Sequence, residues 1–86
     1  MNKLEIACFN LKSAIIAQEN GADRVELCAE MKKGGTTPDF EIAKQARKEL
    51  NIDLNVMIRP RGGDFAYTNA EFEQMKSEIV AFKKLT

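Results

Sequence analysis

Apolar positions along this chain switch between two periods. In "KLEIACF" (residues 3–9) Leu4 and Ile6 alternate with Glu5 and Ala7. In "DRVELC" (23–28) Val25 and Leu27 alternate with Arg24, Glu26 and Cys28, and in "DLNVMI" (53–58) Leu54, Val56 and Ile58 alternate with Asn55 and Met57. A period of two predicts three strands. Between and after them the period becomes helical. Leu11, Ala14, Ile15 and Gln18 share one face of "NLKSAIIAQEN", with Asn10 as the expected N-cap and Gly21 as the stop. Phe40, Ala43, Ala46 and Leu50 form the inner stripe of a second helix, which the sequence predicts to be capped by Thr37 with Pro38 in its first turn. Phe72, Met75, Ile79 and Phe82 recur to the end of the chain, and Thr68 to Glu71 fits a capping box.

The order is therefore β-α-β-α-β-α, which predicts an α/β fold with parallel strands and right-handed crossovers. The parity of the strands narrows this. A sheet covered by helices on both faces reads as continuous apolar runs. Here each strand has one apolar face and one mixed face, because side chains alternate across a strand. The mixed set is Glu5, Arg24, Glu26, Cys28, Asn55, Met57 and Arg59. A charged inner face suits the interior and mouth of a (β/α)8 TIM barrel, so the pattern reads as three βα units of one. Internal ion pairing of the same residues is the plainer reading of Glu5, Arg24 and Glu26.

Composition removes several function classes. Lys+Arg and Asp+Glu balance at 13 each in 86 residues, so no basic surface points to nucleic acid. Histidine is absent, which rules out a His-based triad or a His-ligated metal site within this chain. The N-terminal apolar run is too short for a signal peptide, and no segment is long and apolar enough to span a bilayer. Cys8 and Cys28 form no CxxC and read as reduced thiols of a cytoplasmic protein.

Candidate chemistry concentrates in two loops. "KKGGTTP" follows the second strand and "RPRGGDF" the third, each carrying Gly-Gly ahead of a helix. Ligands in parallel α/β folds bind at the carboxyl ends of strands. Backbone N–H groups near a helix start bind anions, and arginine strengthens that. Arg59, Arg61, Gly62, Gly63 and Asp64, with Glu5 and Glu26 on the mixed face, are thus candidates for holding a small carboxylate or phosphate. The alternative is that the glycines serve tight turns and the arginines pair with Glu5, Glu26 and Asp64. A thiolate is a soft ligand favouring Cu(I) or Zn. Cys28 shares the mixed face with Glu26, whereas Cys8 has the opposite parity, toward the helices. No residue is assigned a catalytic role.

"LEIACFN", "AQENGADRVELC", "KKGGTTP" and "VMIRPRGGDFAYT" together resemble the CutC family of copper homeostasis proteins, over nearly the whole chain. The resemblance implies a cytoplasmic TIM-barrel protein that binds a copper ion. The family's length is well over twice this one, so residues 1–86 look like its first three βα units, with the rest of the barrel absent. Glu5, Glu26, Arg59, Arg61 and Asp64 match the family pattern and would line the barrel mouth. In the family a first-strand cysteine is proposed to form a Cu(I) pair with the cysteine of "ELC". Here Cys28 holds the second position, Ala7 the first, and the other thiol sits at Cys8. The family is not firmly tied to a reaction, so an enzyme or binding protein for a phosphorylated or carboxylated metabolite is the alternative. The isolated fragment is read as having no activity of its own. Three strands would leave two open edges, from which self-association is expected.

Overall fold

Strands and helices alternate as the periodicity predicts in the computed structural model, which describes residues 3–86. The elements are β1 (Glu5–Cys8), α1 (Leu11–Glu19), β2 (Arg24–Leu27), α2 (Phe40–Glu49), β3 (Asp53–Val56) and α3 (Asn69–Lys83), with a 3-10 turn at Met31–Lys33 after β2. All three strands are parallel, in the order β1-β2-β3.

Register fixes which side chains share a face. Glu5 pairs with Arg24 and Arg24 with Asp53, Ala7 with Glu26 and Glu26 with Asn55. Ile6, Val25 and Leu54 form the next row, and Cys8, Leu27 and Val56 another. Polar and apolar rows therefore lie on opposite faces, as the strand parity requires. Two contacts across the polar face carry this further. Arg24 Nε lies 3.2 Å from Glu5 Oε2, and Asn55 Nδ2 donates to Glu5 Oε2 at 2.8 Å.

The apolar face meets the helices. Val25, Leu27, Cys8 and Leu54 are buried with Ala14 of α1, Ala43 and Ala46 of α2, Leu50, and Phe82 of α3. Alanines at the helix contacts let the backbones approach the sheet closely. At the β1 edge the apolar face is partly bare, with Leu4 54 % and Ile6 36 % exposed.

Helix ends follow local chemistry. Asn10 caps α1, its side chain accepting from Ser13 N–H at 2.7 Å, and Gly21 leaves the helix at φ +97°, where glycine is strain-free. Thr68 and Glu71 form the reciprocal capping box at α3. The expected cap of α2 is corrected: Asp39, not Thr37, holds that place, accepting from Glu41 N–H at 2.8 Å. Thr37 is engaged elsewhere, because its hydroxyl accepts the Arg59 N–H at 2.8 Å and its own N–H donates to Arg59 O. The stripe expected on α3 is also corrected in part. Phe82 is buried against the Phe40 ring, 5.4 Å between centroids, but Phe72 and Ile79 are about half exposed, at 49 % and 50 %.

Candidate functional site

Two loops at the carboxyl ends of β2 and β3 are tied together by one side chain. β3 runs on past its last ladder residue, with Met57 N–H donating to Leu27 O, and delivers Arg59 beneath the β2–α2 loop. That loop folds back on itself through reciprocal backbone bonds between Ala29 and Thr36. It packs over the carboxyl end of the polar face alone, where Gly35 lies against the side chains of Met57 and Cys28. Gly35 has φ +99°, and a Cβ there would lie 3.7 Å from Cys28 Cβ.

Arg59 is buried at 9 % exposure. Its Nη1 donates to Lys33 O at 2.8 Å and Gly35 O at 3.1 Å, and its Nη2 donates to Gly63 O at 2.8 Å. The guanidinium also lies 4.8 Å from the Phe65 ring centroid. Three carbonyls from two loops thus converge on one planar fork, a geometry lysine cannot reproduce. The loops approach so closely that a Cβ on Gly62 would stand 2.9 Å from Lys33 Cβ.

Arg61 has different partners. Its Nε donates to Glu71 Oε2 at 2.6 Å, and its Nη atoms reach Asp64 Oδ1 at 3.5 Å and the Ala66 carbonyl at 3.1 Å. The expected pairing with Asp64 is present, while Glu71, which the sequence offered only as a capping residue, is the nearer acid. The Thr68 N–H and the Arg61 guanidinium together hold the Glu71 carboxyl below its usual range.

The candidate residues do not all meet. Arg59, Gly62 and Gly63 share an open cleft with Lys32, Lys33 and Arg61. Asp64 stands at its rim beside Arg61. Glu5, the first residue of β1, lies at the opposite end of the sheet, where it pairs with Arg24 and accepts from Asn55. Glu26 stays on the polar face beside Cys28 rather than joining the arginines. Thr37, Lys33 and Glu71 are the participants sequence reasoning missed; their roles depend on where two separate loops meet, which no local spacing encodes.

The thiols occupy opposite sides of the sheet. Cys8 sits in the helix-facing core. Cys28 is buried on the other face, its Sγ 3.7 Å from Glu26 Oε1. Burial, then the negative charge of Glu26 and its hydrogen bond, push the Cys28 thiol up to about 11. Burial alone raises Cys8. Among the described residues no three His, Cys, Asp or Glu side chains gather as a metal-binding group.

Comparison with known proteins places this geometry. The CutC family model matches residues 2–86. A family protein CutC of Photorhabdus laumondii is 48 % identical over 85 residues, covering 99 % of this chain and 34 % of that protein. One from Salmonella typhi is 48 % identical over 85 residues, covering 99 % of this chain and 33 % of its own length. The solved structure of a CutC protein from Streptococcus agalactiae, whose assigned name ties it to copper homeostasis, superposes with a TM-score of 0.90 at 36 % identity. That superposition covers 99 % of this chain and 42 % of the streptococcal one. The chain spans about a third of the length of the curated relatives it matches. With a family model matched from residue 2 to residue 86, the chain belongs to the CutC family.

Proposed function

We propose that this chain forms the first three βα units of a CutC-type (β/α)8 barrel acting in cytoplasmic copper homeostasis, with its polar sheet face lining the barrel interior. The observation that carries this is the two-faced sheet: helices cover the Val25–Leu27 side, while Glu5, Arg24, Glu26 and Asn55 share the opposite, polar face, which among the described helices only the end of α3 approaches, at a cleft beside Glu26 and Asn55. In an open doubly wound sheet that face would be apolar and covered. The half-exposed stripe on α3 and the bare edge at Leu4 and Ile6 agree with neighbours supplied by further βα units. The name of the streptococcal relative supplies the link to copper.

The thiols of this chain do not fit a two-thiolate Cu(I) site of their own. Cu(I) favours several soft donors, and here the polar face offers one thiol, Cys28, its proton held by burial and by Glu26, with the Met57 thioether beside the same Gly35 backbone. Cys8 points into the opposite layer. What this segment offers a copper cargo is therefore a single thiolate, with the Met57 thioether as the other soft donor on that face.

Titration of the chain with Cu(I) against a competing chelator tests the reading. Weak binding, lost in Cys28→Ser and kept in Cys8→Ser, is expected. Tight binding that needs both thiols would overturn the opposite-face assignment, and binding indifferent to Cys28→Ser would remove Cys28 from copper handling.

A further inference from the structure

The cleft between the β2–α2 and β3–α3 loops contains more fixed positive charge than its acids answer. Lys33 pairs with Glu30 at 2.8 Å, and Arg61 with Glu71 and Asp64. Arg59 and Lys32 have no carboxylate within ion-pair distance among the described residues. For exposed Lys32 that costs little, since water solvates it. For Arg59 it matters: the guanidinium is nine-tenths buried, its charge is answered by carbonyl dipoles and the Phe65 ring face but by no carboxylate, and its Nε is buried with no hydrogen-bond partner. An uncompensated buried charge is costly and draws a counter-ion.

The other wall of the cleft supplies hydrogen-bond donors. The Gly62 and Gly63 N–H groups donate to no protein acceptor among the described residues. Gly62 has no Cβ to block the approach, and Gly63, at φ +89°, turns the backbone there. Such unpaired amides near fixed cations make an anion-binding concavity. The cleft, about 570 Å³ in volume, opens between them and the two lysines.

We propose that this cleft binds a phosphate-type dianion, as inorganic phosphate or as the head of a phosphate monoester. The Lys32 and Lys33 ammonium groups and the Gly62 and Gly63 amides donate directly. Arg59 and Arg61, whose Nη donors are already engaged by the protein, supply a fixed positive field behind them. The cleft holds four cations, Lys32, Lys33, Arg59 and Arg61, and a dianion answers more of that charge than a monocarboxylate does. The site is independent of the copper reading, because it uses neither thiol.

Equilibrium dialysis of the 86-residue chain against labelled inorganic phosphate, at fixed ionic strength and with a metal chelator present, tests it. Saturable binding of one phosphate per chain is expected, with acetate a weak competitor. Lys32 is exposed and makes no side-chain hydrogen bond or ion pair among the described residues, so Lys32→Gln should keep the circular dichroism spectrum and weaken binding about tenfold, the loss of one charge facing a dianion. Lys48→Gln, on α2 away from the cleft, should change nothing. Non-saturating uptake, equal effects of the two lysine variants, or acetate competing as well as phosphate would each overturn the proposal. None of these outcomes bears on Cu(I) binding.

Discussion

Arg59 carries the most structure of any single side chain. Replacing it with Ala leaves the carbonyls of Lys33, Gly35 and Gly63 without their donor and uncouples the two loops. A loss of about 2–4 kcal/mol in urea unfolding is expected, from three charged hydrogen bonds, one buried and two part-buried. Arg59→Lys should recover little of it, because an ammonium cannot span three acceptors in one plane; full recovery would show that charge, not geometry, matters. Cys28 gives a pH prediction of definite sign. Its thiol is raised from 9.0 to about 11 in the fold, so the unfolded chain loses that proton first. The stability this contributes is complete below pH 9 and is lost as pH rises toward 11. Alkylation of Cys28 in the native chain should stay slow at pH 8 and accelerate through that window; fast modification at pH 8 would show an open thiol. The polar and apolar rows were readable in advance because a strand's period of two is local. The partners of Arg59 were not, since they depend on where a loop twenty-odd residues earlier comes to rest.

At the scale of elements, the helix starts divide in the same way. Asn10 and the Thr68–Glu71 box could be read directly, each standing alone at its boundary. "TTPD" offers two caps, and the choice of Asp39 over Thr37 is made by β3, whose Arg59 N–H takes the Thr37 hydroxyl. Asp39→Ala should therefore cost about 1 kcal/mol through the N-terminus of α2. Thr37→Val should instead act through the β3 end, unsatisfying the Arg59 amide. Amide exchange separates the two: faster exchange at Glu41 and Ile42 in the first variant, at Arg59 in the second. At α3, Glu71 serves both the cap and Arg61, and the Thr68 N–H first, then Arg61, hold its carboxyl below its ordinary range. That contribution is present above the ordinary carboxylate value and is lost as pH falls through the lowered one. Acidification below pH 4.5 should fray the first turn of α3, and Glu71→Gln should remove most of that pH dependence.

At the scale of the molecule, the sheet has one covered face, one open polar face and two edge strands, β1 and β3. The radius of gyration, 13.1 Å, exceeds the roughly 12 Å expected of a compact chain of this length. Helix α3 is anchored mainly through Phe82, with Ile79 and Val80 exposed along it. The βα alternation made this architecture legible in the sequence, whereas the bareness of α3 was not, because a helical stripe reports what a helix is suited to bury, not what is there to bury it. Three parallel strands with open edges and bare apolar flanks should satisfy them by pairing with copies of themselves. Sedimentation velocity of the 86-residue chain at micromolar concentration tests this most directly. Concentration-dependent association is expected, with the boundary shifting to higher coefficients as the chain is concentrated. A single monomeric boundary across the range, from a chain whose amide NMR spectrum is sharp and well dispersed, would contradict the reading of the polar face and open edges as surfaces that a barrel closes.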